Sequence, residues 1–385
     1  MIGRLRVSLR ALRNNAQLLR DMVGPKHAAF VVKSNGYGHG LLETARAAEP
    51  LARRICVYAF EEALALRAGG ITKPILVLGP IPPEALDDVM AAKLDVALWD
   101  TGEFARRLAN AARKRQTRAP VHVKVNTGLN RLGFEPHELA DAIEDYLHVS
   151  EIEIAGVFSH LSAAEELDSP YTMYQLETFE RALTAAEPLF ERERIVPLRH
   201  IAASAAAILW PQTRLDLSRF GIALYGLWPS KATREAADSN GIALEPALSY
   251  ESEIVVVRSV PAGSAIGYGA TFHAPRDLRV GVVPVGYGDG VPRALSNRGA
   301  FLVDGAVCPI VGRVAMNLSE VDLTSAPGAH PGSKVTLIGR DGDAYVGADD
   351  WAQWAETINY EIVARLPSEI PRVYDDLSDG GDSVL

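Results

Sequence analysis

Three things are missing from this 385-residue chain, and each absence excludes a class of function. No run of lysine and arginine is long enough to follow a phosphate backbone, and the formal net charge is −9, so nucleic acid is not an expected partner. No segment is apolar over the length a bilayer requires. The opening residues, "MIGRLRVSLRALRNNAQLLRDMVG", hold neither an uninterrupted apolar stretch nor a small-residue cleavage site. A soluble, unexported, cytoplasmic protein with no membrane partner is the expectation. Cysteine is nearly missing too: Cys56 and Cys308 are far apart and lack metal-type spacing. A disulfide framework and a zinc site are not indicated, no metal is expected, and both cysteines read as small core residues. No internal repeat or low-complexity tract is found, apart from a short tail, "DDLSDGGDSVL", that reads as disordered.

What the chain does contain is enough apolar material for a sizeable core, 48% against 23% charged residues, over a length that suits two domains. Ser8 reads as an N-cap, with Leu9, Leu12, Ala16 and Leu19 on one helical face before Gly24. Short apolar runs then alternate with helical stretches. "AFVV" ends at Lys33; "ICVYAF", "ILVLG", "DVALW", "VHVKVNTG", "IAGVFSHL", "LRHIAAS" and "FGIALYG" follow, making eight strands. Eight alternations in about 230 residues suit a (β/α)8 TIM-type barrel, with an open doubly wound sheet as the alternative. Beyond about residue 240 the pattern turns to β-branched runs between turns, with helical signal only in "ADDWAQWAETINYEIVARL". The expected division is a barrel over residues 1–235 and a C-terminal mainly-β domain over 236–385, with the polar, turn-rich 227–245 as the boundary segment.

In such a barrel the polar residues at the C-terminal strand ends face a common mouth. That rule selects Lys33, Lys124, Asn126, His160 and Ser204, with Arg219 just before the eighth strand. A lysine at a strand end is often a surface residue; in a dry pocket it loses proton affinity and becomes an amine able to form a Schiff base. The loop "SNGYGHG" after Lys33 either merely turns or brings backbone close to a ligand, with Tyr37 offering a hydroxyl to an anion. His160 alone reads more often as a structural histidine than as a catalytic one. Ser204 in "AASAA" is either an N-cap or part of an anion site. "RFGIALYG" adds a glycine where barrels often hold phosphate, and together these features suggest a phosphorylated cofactor. "GYG" at 267–269 and "GYGDG" at 286–290 are either turns or exposed hydroxyls aimed at a partner surface.

Several separated motifs, in order along nearly the whole chain, resemble one family. "VVKSNGYGHG", "KVNTGLNRLGF", "FSHL", "RFGIALYGLWPS", "IGYGATF", "VPVGYGDG", "IVGRVAMN" and "TINYEI" are similar to the signatures of alanine racemase, a pyridoxal-phosphate enzyme with a barrel and a C-terminal β domain. The resemblance implies that Lys33 holds pyridoxal 5'-phosphate as an internal aldimine, which the amino-acid substrate displaces to form the external one. It implies that Tyr37, Ser204, Gly221, Ile222 and Tyr360 hold the phosphate. Arg219 would face the pyridine nitrogen, where a guanidinium cannot accept the proton that a carboxylate partner would share, and so favours racemisation over transamination. Lys33 and Tyr268 would serve opposite faces of the α-carbon, with Tyr268 donated by the second subunit of a homodimer. Tyrosine's ordinary pKa of about 10 calls for a helper, and His160 beside Arg219 is that helper. Arg131 and Met316 would bind the substrate carboxylate, with Lys124 behind Arg131 as a possible carbamylated lysine. His200 would extend the hydrogen-bond chain from Arg219.

The chain departs from the family pattern at Asn126 and Asn317, where aspartates are usual, and at Ala203 and Ala315. The implied function is racemisation of alanine, supplying D-alanine for peptidoglycan. A racemase of broader or different specificity, a decarboxylase on the same barrel, and a non-catalytic cofactor carrier are the other readings. The lack of an acidic partner in place of Arg219 disfavours the decarboxylase, and the retention of Tyr268, Arg131 and His160 disfavours the carrier.

Overall fold

A strand covered on both faces has no solvent side, so its residues do not alternate in polarity. In the computed structural model, which describes residues 3–375, the strands Ala28–Val31, Arg54–Val57 and Asp95–Leu98 are buried at every position. With Ile75–Val77, Ala119–Lys124, Ile152–Phe158, Leu198–His200 and Ser218–Phe220 they form one parallel sheet. The first strand pairs with both the second and the eighth. An isolated bridge between Ala203 and Arg219 links the last two just beyond the end of the seventh. The sheet closes almost completely, which is the (β/α)8 barrel and excludes the doubly wound alternative.

Small residues let the outer helices sit close to this sheet. Leu9–Val23 buries Ala11, Leu12, Ala16 and Leu19. Its buried Asn15 donates to the carbonyls of Leu224 (3.1 Å) and Glu245 (2.8 Å) and accepts from the Glu245 amide (2.9 Å), tying the end of this unit to its first helix. Two local readings change. The eighth strand is Ser218–Phe220, so Arg219 lies on it, and "IALY" is a 3-10 turn, Ile222–Tyr225. The polar segment 227–245 contains the helix Lys231–Ser239, because the Ser230 hydroxyl accepts from the Thr233 amide (3.2 Å) and so supplies a cap.

The chain divides after Glu245, and among the described residues the second compact unit takes in 3–10, Tyr37–Gly40 and 246–375. Its main sheet runs in the order Ala306–Pro309, Ala300–Val303, Lys334–Asp341, Leu248–Glu253, Arg4–Ser8, Arg372–Asp375. Residues Arg4–Ser8 are thus an interior strand of the C-terminal sheet, where the sequence reading had placed them with the barrel. Leu5 and Val7 enter the core, while Arg4 (3.2 Å) and Arg6 (3.0 Å) reach the buried Glu251, which also takes Lys334 (2.9 Å). A smaller sheet joins Val256–Val260, Leu278–Val283 and Ser319–Asp322. The helices Ala348–Ala355 and Asn359–Ala364 fall where helical signal was expected, and Trp351 packs on Phe301 with ring centroids 6.1 Å apart. The tail beyond residue 375 lies outside the described residues.

If the first strand belongs to this sheet, Leu5→Ala costs about 2–5 kcal/mol, the usual loss for a buried leucine. Urea unfolding followed by the fluorescence of the C-terminal tryptophans checks it; an unchanged midpoint contradicts the placement.

Candidate active site

The first barrel strand ends at Val31, and the chain then turns the wrong way round. Ser34, Asn35, Gly36 and Tyr37 take φ of 55°, 53°, 60° and 50°, a full left-handed turn. Each non-glycine residue there costs about 1–2 kcal/mol, so the turn has to be held from outside. The Gly36 amide donates to the Val32 carbonyl (2.9 Å), and the Asn35 side chain accepts from the Leu41 amide (3.0 Å). Glu62 accepts from the Ser34 amide with one oxygen (2.5 Å) and from the Tyr58 and Ala59 amides with the other (3.2 Å each). The effect is to fix the backbone immediately after Lys33. Sequence reasoning missed Glu62, which looks like an ordinary acidic residue in the first turn of a helix.

Lys33 shares one electrostatic field with Lys124, Arg131, His160 and Arg219. Burial, and next the Arg131 cation, lower the proton affinity of Lys33, with Glu62 opposing. Lys124 is pushed down to about 8 by burial and by Arg131 and Arg219. Its ammonium lies 5.5 Å from the Phe158 ring and 6.0 Å from that of Trp99. His160 is pushed down to about 3 by burial and by all four cations, so it is neutral at physiological pH. The donor set is cationic, and Glu62, the carboxylate that acts on Lys33, is committed to backbone amides.

Arg219 is 4% exposed and burial lowers its pKa to about 10, which leaves it protonated. Its hydrogen bonds go to His200 Nδ1 (2.7 Å), His160 Nδ1 (3.2 Å) and the carbonyls of Ser159 (2.9 Å) and Ile201 (3.2 Å). Since a guanidinium only donates, both Nδ1 atoms are acceptors, and His160 carries its proton on Nε2. On the Ala203 side, Ser204 heads the helix Ser204–Leu209 and its hydroxyl oxygen accepts from the Gly221 amide (3.1 Å). The serine's own proton then points away from that amide. Ile222 follows in the next turn. His122 was not singled out from the sequence; its Nδ1 meets His200 Nε2 at 2.8 Å.

Tyr37, Tyr268, Met316, Asn317 and Tyr360 lie in the C-terminal unit. Tyr37 and Tyr360 pack their rings at 6.3 Å, and burial pushes the Tyr37 phenol far above its ordinary range, keeping it a hydroxyl donor. Gly38, at φ +81°, leaves no room for a Cβ against the Val363 carbonyl. Tyr268 opens the turn Tyr268–Ala270 between the short strands Ala265–Ile266 and Phe272–His273, and is 72% exposed. Met316 is 57% exposed. Asn317 donates to Asp289 (3.1 Å), and in the barrel unit Asn126 donates to Glu135 (2.8 Å).

A closed barrel with a desolvated lysine after its first strand and a guanidinium on its eighth defines a class, the barrel-type pyridoxal-phosphate enzymes. The alanine racemase N-terminal domain family matches residues 7–229, and the alanine racemase C-terminal domain family matches residues 247–374. Alanine racemase of Desulforamulus reducens is 38% identical over 372 residues, 96% of this chain and 97% of its own length. The crystal structure of alanine racemase from Streptomyces lavendulae superposes with a TM-score of 0.91 at 34% identity, covering 99% of this chain and 98% of that one. That of Bartonella henselae, which has covalently bound pyridoxal phosphate, gives 0.85 at 27% identity over 97% of this chain and all of the other. This chain belongs to the alanine racemase family.

The family is pyridoxal-phosphate-dependent, and the residues present fit that group. A lysine with lowered proton affinity suits an aldehyde, the Ser204 hydroxyl with the turn after Gly221 suits a phosphate, and surplus positive charge suits an anion.

The histidines make stability depend on acid. His122, His160 and His200 are neutral in the fold because burial and neighbouring cations hold them far below the ordinary 6.5. Below about pH 6.5 the unfolded chain takes up protons that the fold refuses, so the stability they contribute is full above that pH and is lost as pH falls. Replacing one, as in His122→Gln, makes unfolding free energy less steep by about 1.4 kcal/mol per pH unit between pH 6 and 4.5. Denaturant unfolding at stepped pH measures both slopes; parallel lines contradict the neutral assignment.

Proposed function

We propose that this protein interconverts L-alanine and D-alanine with pyridoxal phosphate bound through Lys33. The observation that carries the reading is Arg219, a buried guanidinium whose hydrogen bonds all end on neutral acceptors. Pyridoxal phosphate, when bound, supplies an electron sink that makes the α-hydrogen of an amino acid removable. Tyr37, Ser204, Gly221, Ile222 and Tyr360 would hold its phosphate, and Arg219 would meet its ring nitrogen. A guanidinium there has no site for the ring's proton, which restrains the sink and favours return of a proton to the α-carbon.

Inversion needs a proton-transfer group on each face of that carbon, because one group alone tends to return the proton where it found it. The Lys33 amine, with its lowered proton affinity, serves one face. The Tyr268 phenol serves the other, with the neutral His160 offering its Nε2 proton as a hydrogen bond to the phenolic oxygen. Arg131 and the Met316 backbone hold the substrate carboxylate. Lys124, with a pKa near 8, keeps a fraction of free amine at neutral pH, the form that carbamylation requires. The exposure of Tyr268 supports its donation to a second copy, making the active unit a homodimer. The D-alanine product serves peptidoglycan assembly in the cytoplasm.

The purified protein, given pyridoxal phosphate and pure L-alanine, is expected to bring optical rotation to zero. Retained rotation, with L-serine or L-lysine racemised instead, replaces alanine as the substrate. Lys33→Ala removes the borohydride-fixed mass increment of the cofactor. Tyr268→Phe keeps that increment but slows α-hydrogen exchange of L-alanine in D2O by about 100-fold or more. Unchanged exchange sinks the two-face assignment.

Mixing the two inactive variants tests the shared site. If Lys33 and Tyr268 of one site come from different chains, each mixed dimer holds one intact site, and statistical exchange restores about a quarter of wild-type activity. No restoration after verified exchange places both residues on one chain.

A further inference from the structure

Behind Arg219 a file of buried polar groups crosses the barrel interior. His200 Nδ1 accepts from Arg219 (2.7 Å), and His200 Nε2 meets His122 Nδ1 (2.8 Å). His122 Nε2, fully buried and with no hydrogen-bond partner of its own, faces Asp95 Oδ2 at 3.7 Å. Asp95 is itself paired with Arg54, the two being 6% and 8% exposed. The five side chains come from the second, fourth, fifth, seventh and eighth strands. Phe158 stacks on the His200 ring at 4.9 Å and 7°, which fixes its plane, and Gly156 leaves no space for a Cβ beside His122 Nδ1.

Proton placement along this file follows from its two ends together, the donor Arg219 and the acceptor Asp95. Arg219 can only donate, so His200 Nδ1 must be bare, and the proton of the neutral ring sits on Nε2. That proton points at His122 Nδ1, which must also be bare. The His122 proton is therefore on Nε2, the atom that looks at Asp95. Every donor points away from Arg219, and the file ends on the one group that only accepts.

We propose that Asp95 is a positioning residue for Arg219, acting through His122 and His200 by holding both rings in the Nε2–H tautomer. This deepens the functional reading, and rests on it only for the statement that Arg219 meets the cofactor. Without the carboxylate, His122 is free to place its proton on Nδ1, against His200 Nε2–H. Relief of that clash would put the His200 proton on Nδ1, donor against donor at Arg219, and the guanidinium would lose its shortest bond. The neutrality of both rings, which burial and the cations Arg219 and Arg54 enforce, removes the alternative of a shared extra proton.

The test reads the tautomers themselves. In the full-length protein loaded with pyridoxal phosphate and labelled with 15N-histidine, long-range 1H–15N spectra are expected to place the protons of His122 and His200 on Nε2. His122→Gln and His200→Gln assign the signals. Asp95→Asn is expected to move His122 to Nδ1–H and to lower alanine turnover by about 10-fold while the covalent cofactor increment stays. An Nδ1–H proton on either ring of the wild type overturns the one-way file, and unchanged tautomers in Asp95→Asn remove Asp95 from it. Should that variant not accumulate, Asp95→Ser is read by the same spectra in its place, with the same two outcomes. The spectra need no substrate, so these tautomers without racemisation would strike the functional reading and leave this one standing.

Discussion

A buried guanidinium has only protons to give, and the barrel interior is arranged around that constraint at Arg219. A carboxylate beside it would neutralise the cation and sequester it. The chain supplies histidine nitrogens and backbone carbonyls instead, which satisfy the donors and leave the charge. With Lys33, Lys124 and Arg131 in the same field, the mouth gathers positive charge. Such an arrangement is costly in the empty protein and favourable once an anion arrives, since both desolvation and like-charge repulsion are relieved together. The interior carboxylate of this file, Asp95, stands at its far end and is occupied by Arg54.

The same logic of a local cost held by remote contacts governs the segment after Lys33. Four successive left-handed residues do not persist by themselves. Glu62 pins the turn through the Ser34 amide and, through the Tyr58 and Ala59 amides, fastens it to the end of the second strand. It also tempers the loss of proton affinity at Lys33. A single carboxylate thus couples where Lys33 is held to how readily it gives up a proton.

Much of the barrel could be read from the residues because doubly covered strands are uniformly apolar and the helices between them are marked by glycine and proline. Arg4–Ser8 escaped because five alternating residues have no period of their own to declare a partner; their partner strand, Leu248–Glu253, lies some 240 residues on. The helix Lys231–Ser239 escaped because it buries only Thr233 and Ala237, and its cap was read as a turn. Lys33, Arg219 and His160 were legible as polar breaks at strand ends. Asp95 and His122 were not, since Asp95 is one polar residue within an apolar strand and His122 alternates with valines beside Lys124, each indistinguishable in sequence from an outward-facing side chain. Tyr268 enters the proposed site through family resemblance, since in the fold it is an exposed turn tyrosine.

The two asparagines that replace usual aspartates follow one physical pattern. Asn126 donates to Glu135 and Asn317 donates to Asp289, so in each loop an amide meets a carboxylate already present. An aspartate at either position would set two like charges at hydrogen-bonding distance and lose the donor. Asn126 also accepts from the amides of Gly128 (3.2 Å) and Asn130 (2.9 Å), and so shapes the loop leading to Arg131. Both replacements are therefore accounted for within their own loops.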